Sequence, residues 1–476
     1  MTAFKPSQDS SLPTHPDPEN LRKQAKSLLK AFRSKDETTF EILKHLKKFK
    51  EASGAEIFAD DLCLRECQHA LALYYGFKSW SALIDSATSQ SGFTPGDEIN
   101  LVNSILEESV TKGASDIHFE WKEGRLGCRL RVDGELRIAS TGVPSGSFEA
   151  VIDRIKELAA LDLDIKSQPQ HGNARIKVNG RFVCLRISVI PYVTGESIVV
   201  RLWTDEYLNM RFDQLSLTGL HKEIMTRLIN SPNGIIAFSG PLGSGKTTTL
   251  YGVISKLDPA KRKVVTIENP VYRLLEGINQ MQVDPAAGIT IPKAIKAQMN
   301  QDPDVMAVLD CDDGEILELI CQAALTGHLV ITLLNASSAS NALSNLKDMS
   351  SNRYQLASGI IGVVSQRLVR RICENCKEPH PVSEWEAAAL GIAPGTVLYA
   401  GKGCDKCGGS GYAGRLAVYE IIEINDKLRK VIVENAAGDK IKRVAEDCGM
   451  ISMLYDGLNK AREGLTSAAE ILRVCC

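Results

Sequence analysis

A glycine-rich segment in the middle of the chain has the spacing of a phosphate-binding loop. Its eight residues fit the pattern G-x-x-x-x-G-K-[ST]: Gly240, Pro241, Leu242, Gly243, Ser244, Gly245, Lys246 and Thr247. An apolar run at 235–238 precedes it, and a stretch compatible with a helix follows at 248–257. Backbone N–H groups of such a loop converge on phosphate oxygens at a helix N-terminus. The segment, with Thr248 at its end, therefore predicts an ATP site in which Lys246 reaches the outer phosphates and Thr247 helps to hold Mg²⁺.

A second set of residues, whose spacing suits metal binding, lies in the C-terminal third of the chain. Two C-x-x-C pairs, Cys373 with Cys376 and Cys404 with Cys407, are separated by 27 residues. Each pair has the separation at which two thiolates hold one tetrahedral ion, and neighbouring glycines supply tight turns. Four sulfur ligands close the coordination shell, which favours a structural Zn²⁺ over a catalytic one. The alternative is two unrelated redox pairs.

The segments that must position these residues differ in pattern, and a length of 476 residues predicts several domains. Apolar residues recur at helical spacing in the first part, and strand–loop–helix alternation begins near Leu215. We predict a multidomain α/β protein whose nucleotide-binding domain has a parallel sheet. The predicted segments are a disordered tail (1–19), a helical module (20–87), a linker (88–97), an α+β domain (98–205) and the nucleotide-binding domain (206–476), the last with a zinc-binding insertion (371–415) and a helical end (416–476).

Composition and charge exclude several classes of protein. The formal net charge is −2, which disfavours a nucleic-acid binder. No apolar run approaches the roughly 18–20 residues of a membrane-spanning helix, and the N-terminus lacks the layout of a signal peptide. A cytosolic protein without a membrane span is therefore expected, with docking to a membrane partner left open. Residues 20–50 hold ten Lys/Arg against three acids, which indicates either a solvated face or a surface for an acidic partner or membrane.

Further motifs, taken in order along the chain, identify a family resemblance. They are residues 113–120 (GASDIHFE), 185–188 and 195–201 (LRIS and GESIVVR), 324–329 (ALTGHL), and the C-terminal segments 449–450, 456–458 and 464–466. From about residue 98 onward the chain resembles the type II secretion and type IV pilus assembly ATPases, a hexameric branch of the RecA-like P-loop fold. The resemblance implies a homo-hexamer that uses ATP at an inner-membrane platform protein. Its tetracysteine insertion is typical of assembly motors rather than retraction motors.

The resemblance also implies roles for residues outside the phosphate-binding loop. Arg186 and Arg201 would turn toward the γ-phosphate and neutralise charge that develops during phosphoryl transfer. Glu268 belongs to the acidic box, and Asp310 stands where the family has the glutamate that polarises the attacking water. His328 belongs to the histidine box. These five residues complete the predicted catalytic set.

Three motifs depart from the family pattern. The acidic box has Asn269 and Tyr272 in place of two carboxylates, and Asp312 replaces an arginine. In the histidine box, the second histidine is replaced by Asn335. These changes bear on hydrolysis more than on binding, since a carboxylate displaced by roughly 1 Å can cost about a hundredfold in rate. The alternative to a motor is therefore a nucleotide-binding regulatory or structural subunit, while a nucleic-acid translocase is disfavoured because no basic channel pattern is present.

The helical module has a separate resemblance. Its opening, Leu-x-x-x-Ala-Lys-x-Leu-Leu from Leu21, and its close, Tyr-Gly-Phe-x-Ser-Trp ending at Trp80, are similar to a short helical domain found at the start of various bacterial proteins. The similarity covers about 65 residues. It implies an interaction or scaffold role rather than chemistry.

Overall fold

The fold divides between Leu202 and Trp203 into two units. The computed structural model describes residues 18–50, 52–84, 96–122, 125–143, 147–204, 209–285 and 287–476. Residues 1–17 of the predicted tail and residues 88–95 of the predicted linker lie outside these ranges. Among the described residues, no helix has both the length and the apolar character that crossing a bilayer requires.

The first unit begins with short helices that share one small core. Leu21, Ala25, Leu28 and Phe32 repeat at helical spacing and are buried, while the opposite face of their helix is exposed and mostly basic. This agrees with the amphipathic pattern of the sequence. The helices are α1 (Pro18–Arg33), α2 (Phe40–Leu43), α3 (Gly54–Phe58) and α4 (Leu64–Tyr74).

The rest of the first unit is a six-stranded sheet with two helices, and its β1–β2, β1–β6, β2–β3 and β4–β5 pairs are antiparallel. Its strands alternate buried and exposed residues, as in β5, so one face of the sheet is apolar and packs against the helices. The strand order is β3-β2-β1-β6-β5-β4. The elements are α5 (Asp97–Thr111), β1 (Ala114–Lys122), β2 (Arg125–Val132), β3 (Glu135–Ile138), α6 (Phe148–Leu158), β4 (Gln170–Val178), β5 (Arg181–Tyr192) and β6 (Gly195–Thr204).

The second unit is built on a sheet whose central strands are buried on both faces. This explains their continuous apolar runs, because helices cover both sides of a parallel sheet. The elements up to the cysteines are α7 (Gly219–Ile229), β7 (Gly234–Ser239), α8 (Lys246–Ile254), β8 (Val264–Glu268), β9 (Asn279–Gln282), α9 (Ile291–Met299), β10 (Val305–Val308), α10 (Gly314–Leu325), β11 (Leu329–Leu334), α11 (Ala339–Met349), α12 (Arg353–Gly359) and β12 (Ile360–Ile372).

The order of these strands determines which loops meet. The sheet runs β15-β12-β7-β11-β10-β8-β9, and its strands are parallel except β15 (Tyr412–Glu423), which is antiparallel to β12. The loops that follow β7, β11, β10 and β8 therefore leave from one edge, which we call the carboxyl edge. The predicted multidomain α/β fold with a parallel sheet is confirmed.

The C-terminal part corrects one predicted segment. The range 416–476 was expected to be helical, but β15 extends to Glu423 and pairs with β12 over most of its length. Its apolar residues are buried in the sheet, and a continuous apolar run does not distinguish strand from helix. The remaining elements are β13 (Lys377–Pro381), α13 (Glu384–Leu390), β14 (Val397–Gly401), α14 (Asp426–Val433), α15 (Gly438–Asp447), α16 (Met453–Arg462) and α17 (Ala468–Cys475).

Candidate functional site

The phosphate-binding loop lies between β7 and α8, at the carboxyl edge. Gly240, Gly243 and Gly245 all have positive φ angles, of 153°, 77° and 86°. A Cβ atom at Gly240 would lie 2.5 Å from both the Gln366 carbonyl oxygen and Ser244 Oγ, so only glycine fits there. Pro241 and Leu242 at the tip of the loop are exposed. The backbone therefore forms an open cradle ahead of a helix N-terminus, which suits a phosphate group.

The side chain of Lys246 lies across this loop. Its Nζ donates to the carbonyl oxygens of Gly240 (2.6 Å) and Pro241 (3.1 Å) and to Oδ1 of Asn335 (3.0 Å). Burial lowers the pKa of Lys246, and the negative charge of Asp310 opposes that shift. The ammonium group is thus held at the place where a phosphate on the loop would meet it. Thr247 and Thr248, in the first turn of α8, are half-buried.

Glu268 ends β8 and is almost fully buried, with 1% of its surface exposed. Its Oε1 accepts hydrogen bonds from Thr266 Oγ1 (2.6 Å) and Gln280 Nε2 (2.8 Å), and its Oε2 accepts one from the Tyr251 hydroxyl. An ionised carboxylate has about four acceptor positions, so three of them are occupied by the protein. The structure therefore holds Glu268 in a fixed orientation at the carboxyl edge of the sheet.

Asp310 follows β10 and is exposed at the same edge, where its charge acts on Lys246. Asp312 is exposed as well. Asp313 has a structural role, because its Oδ1 accepts from the backbone N–H of Ile316 at 2.8 Å and caps α10. Of this acidic run, Asp310 is thus the residue whose charge reaches the candidate nucleotide site.

His328 lies away from the phosphate-binding loop within the chain, and its predicted catalytic role stays a prediction. It precedes β11, and its carbonyl oxygen accepts from the N–H of Gly234 at the start of β7. The six residues of β11 separate the two edges of the sheet by about 20 Å. The imidazole Nδ1 instead lies 2.8 Å from the Ala323 carbonyl oxygen. The motif matched, but the direction of the strand carries Asn335 to the loop and leaves His328 at the opposite edge.

The four predicted cysteine ligands come together in the second unit. All four Sγ atoms lie within 4.8 Å of one another, and no other such group of metal-ligating side chains occurs among the described residues. The Sγ atoms of Cys404 and Cys407 are 3.8 Å apart, and those of Cys373 and Cys404 are 3.9 Å apart. A tetrahedral Zn²⁺ with Zn–S bonds of about 2.3 Å requires sulfur atoms about 3.8 Å apart. The donor set and its spacing therefore fit zinc.

Hydrogen bonds around two of the four sulfur atoms favour the thiolate, whereas burial raises the pKa of the Cys376 thiol to about 12. The backbone N–H groups of Cys404 and Gly411 each donate to Cys407 Sγ at 3.2 Å and help to lower its pKa to about 6. The Asn375 amide donates to Cys404 Sγ at 3.4 Å and lowers the pKa of that thiol. Thiolates are the form that binds a metal ion, so these hydrogen bonds favour ligation by Cys404 and Cys407.

Comparison with known proteins decides the family. The family model described as "Type II/IV secretion system protein" matches residues 95–473. The chain belongs to this family.

Relatives in the type II/IV secretion system family cover most of the chain. It is 39% identical to the Type II secretion system protein E of Pectobacterium carotovorum subsp. carotovorum over 379 residues, which are 79% of this chain and 75% of that protein. It is 37% identical to the "Type IV pilus assembly ATPase PilB" of Thermus thermophilus over 375 residues, which are 78% of this chain and 42% of that protein. The resemblance inferred from the motifs is confirmed.

Solved structures agree with the fold. The ATPase DotB of Legionella pneumophila gives a TM-score of 0.57 at 18% identity, covering 80% of this chain and 95% of that chain. The pilus retraction motor PilT, solved with bound ADP, gives 0.53 at 22% identity, covering 78% of this chain and 96% of that chain. The second unit of this family member thus has the P-loop NTPase fold that the sequence predicts.

The two predicted arginines lie in the first unit. Arg201 is on β6, and its Nε donates to Oδ1 of the buried Asp116 at 2.8 Å across the β1–β6 pair. Arg186 is on β5 and is exposed. Arg201 is thus held by a carboxylate of its own sheet. Their predicted roles in this family member stay predictions.

Sequence reasoning did not assign the polar residues that line the site from neighbouring elements. Asn335 was recognised only as a departure from the family motif, yet it contacts Lys246. The sequence gives no role to Tyr251 or Gln280, yet both hold Glu268. A signal existed for Asn335, since a polar residue directly after the apolar strand β11 lies at the carboxyl edge. No comparable signal marked the other two residues.

Proposed function

We propose that the chain is the ATP-hydrolysing motor of a type II secretion or type IV pilus-like system. It acts in the cytoplasm as a homo-hexamer, docks on an inner-membrane platform protein, and drives assembly of a pseudopilus or pilus. Nucleic acid is not its substrate. The observation that carries this proposal is the ammonium of Lys246, held on the phosphate-binding loop beside Asp310 in a member of the secretion ATPase family.

Different residues of the chain have different roles in phosphoryl transfer. The backbone of the loop and Lys246 bind the phosphates of ATP, and the Thr247 hydroxyl helps to hold Mg²⁺, which neutralises phosphate charge. Asp310 orients the attacking water, and Glu268 supports that edge from its buried position. Arg186 and Arg201 supply positive charge from the first unit. Zn²⁺ on the four cysteines is structural, since four thiolates leave no open coordination position.

A second candidate function is a nucleotide-binding subunit with little hydrolysis. The observation in its favour is that neither acidic residue of the site, Glu268 or Asp310, matches a freely placed catalytic glutamate. Glu268 is held by three protein donors, and the carboxylate whose charge acts on Lys246 is the short Asp310 rather than a glutamate. A site of this kind binds nucleotide without placing a carboxylate on the attacking water.

The deciding experiment is a steady-state ATPase assay on the purified full-length chain. Under the motor proposal, Lys246→Ala lowers turnover by at least about a hundredfold, because one phosphate-binding cation is removed from the transition state. Lys261→Ala is the matched control, since Lys261 is an exposed lysine of the same unit with 82% of its side chain exposed. It should leave turnover unchanged.

Asp310→Glu separates the two candidates. Nucleotide binding without turnover in the wild type, together with a gain of turnover in Asp310→Glu, would overturn the motor proposal and establish the weakened subunit. Turnover in the wild type that Lys246→Ala abolishes supports the motor.

A further inference from the structure

The protein supplies a hydrogen-bond acceptor for each of the three N–H groups of the Lys246 ammonium. A lysine ammonium has three N–H donors, and the carbonyl oxygens of Gly240 and Pro241 and the Asn335 side chain accept all three. Two of these acceptors are backbone atoms of the loop itself. The third is Oδ1 of Asn335, a residue that has no role in the proposed hydrolysis mechanism. A phosphate that binds Lys246 must therefore displace at least one of these three partners.

The sheet fixes the position of Asn335. Leu334, the last residue of β11, is the register partner of Ser239, the last residue of β7. The residues that follow them, Asn335 and Gly240, thus leave the carboxyl edge side by side. Asn335 is exposed, so a ligand on the loop can reach its amide. Its position depends on strand pairing and not on packing of the side chain, which makes it suitable for substitution.

Strand order also places Asn335 on one particular side of the loop. β11 lies between β7, which carries the loop, and β10, which ends before Asp310. A phosphate-binding loop surrounds the inner phosphates with its own backbone, and its lysine reaches the outer two. A side chain between the loop and Asp310 therefore faces the outer end of the triphosphate, where the attacking water must also lie.

An amide at this position has a property that charged side chains lack. It accepts through Oδ1 and donates through Nδ2 while remaining neutral at every ordinary pH. A carboxylate would hold Lys246 more tightly but repel phosphate, and an imidazole would change charge near pH 6.5. When phosphate oxygens replace Oδ1 as partners of Lys246, rotation of the amide presents Nδ2–H to the same phosphate.

We infer that Asn335 discriminates ATP from ADP: it holds Lys246 on the loop in the absence of nucleotide and donates Nδ2–H to the γ-phosphate of bound ATP. This inference rests on the proposed ATP site. It differs from a purely structural role for Asn335, in which the side chain only orients Lys246. Lys246 contacts phosphates of both nucleotides, so a structural role would affect ATP and ADP alike.

The test measures the affinity of the full-length chain for ATP and for ADP, each with Mg²⁺, using fluorescent derivatives of both nucleotides. Asn335→Ala should weaken ATP binding by at least about tenfold and change ADP binding by less than about twofold, because a hydrogen bond to a charged phosphate is lost only with ATP. The matched control is Asn233→Ala. Asn233 precedes β7 and lies at the opposite edge of the sheet, where its amide donates to the Ala324 carbonyl oxygen.

Two further variants sharpen the result. Asn335→Asp keeps the size and still accepts from Lys246, so it should fold normally and yet bind ATP more weakly than Asn335→Ala does. Asn335→His should make ATP affinity depend on pH, rising as the pH falls through about 6.5, because the protonated imidazole donates to phosphate. The wild type should show no such dependence in that range. Thermal unfolding of each variant checks that the fold is retained.

Equal losses of ATP and ADP affinity in Asn335→Ala, or no loss of either, would overturn the inference while leaving the proposed ATP site intact. A wild-type chain that binds neither nucleotide would overturn both. ATP affinity in Asn335→Asp equal to that of the wild type would also count against the inference, since a carboxylate cannot donate to phosphate at neutral pH.

Discussion

The cysteine centre and the carboxyl edge are two sites assembled in different ways within one unit. The cysteine centre takes its four ligands from two short turns, and Cys373 to Cys407 spans 35 residues. The carboxyl edge gathers its residues from the ends of four strands, and Gly240 to Asn335 spans 96 residues. Each pair of cysteines is positioned by its own turn, whereas each residue of the edge is positioned by the order of strands in the sheet. A substitution in the cysteine centre should therefore abolish metal binding without affecting the rest of the unit. The carboxyl edge, in contrast, should respond to any change that shifts a strand.

A single strand connects the two sites. Gln366 on β12 donates through Nε2 to the Ser244 carbonyl oxygen of the phosphate-binding loop at 2.7 Å. Seven residues later, the backbone N–H of Cys373 donates to the Gly411 carbonyl oxygen, beside the other pair of cysteines. Between these points Arg370 on β12 contacts Glu470 on α17. If this strand couples the two sites, then a change at one site should alter the other.

The largest expected effect is the loss of the metal. Replacing both members of one pair, Cys404→Ser with Cys407→Ser, should reduce bound zinc from about one ion per chain to none, because two thiolates cannot close a tetrahedral shell. Nucleotide affinity should change by less than about threefold if the sites are independent. Elemental analysis and nucleotide titration measure the two quantities.

The control for this experiment is Cys63→Ser, since Cys63 is an exposed thiol of the first unit. Zinc that remains at one ion per chain in the double variant would contradict the assignment of the ligands. A large loss of nucleotide affinity would show instead that β12 couples the two sites.

The next largest effect concerns the ion pair between Arg370 and Glu470, which lies between the two sites. Burial alone would raise the pKa of Glu470, but hydrogen bonds from Arg473 and Arg370 outweigh it and hold the pKa at about 2. A carboxyl whose folded pKa is depressed stabilises the fold fully above its unfolded pKa, which is 4.5 here. That stability is lost as the pH falls from about 4.5 toward 2. Glu470→Gln should cost about 3 kcal/mol at pH 7, because it removes the negative charge that faces buried Arg370.

Urea unfolding of the wild type and Glu470→Gln at pH 7, and of both proteins between pH 5 and pH 3, measures this effect. The difference between them should shrink as the pH falls. Glu434→Gln is the control, since Glu434 forms exposed ion pairs with Lys430 and Lys440. A difference that is constant over the pH range would contradict the role of the Glu470 charge.

The contrast between the sites also explains what the sequence could predict. Cysteine spacing and loop spacing are local, so Cys373 and Lys246 could be assigned roles without knowledge of the fold. Glu268 is held by Tyr251 and Gln280, which lie on α8 and β9, and which elements become neighbours depends on the order of strands. Local patterns carry little information on that order.

His328 and β15 show two further limits of a single sequence. The family motif predicts a catalytic role for His328, whereas the apolar run of β11 begins directly after His328 and ends directly before Asn335. Strand direction alone could have assigned the two residues to opposite edges. In β15, residues 416–422 are all buried and do not alternate between polar and apolar, so the period that separates strand from helix is absent.

The smallest expected effect tests how firmly the carboxyl edge holds Glu268. Tyr251→Phe removes the hydroxyl that donates to Oε2 and leaves the donors Thr266 and Gln280 on Oε1. We expect a loss of about 1–2 kcal/mol of unfolding free energy, the cost of one buried hydrogen bond to a charged group, and a change of less than about threefold in ATPase turnover. Tyr354→Phe is the control, because the side chain of Tyr354 is exposed on α12. If Tyr251→Phe instead lowers turnover strongly at unchanged stability, then Glu268 acts directly on the nucleotide and its buried setting serves chemistry rather than the fold.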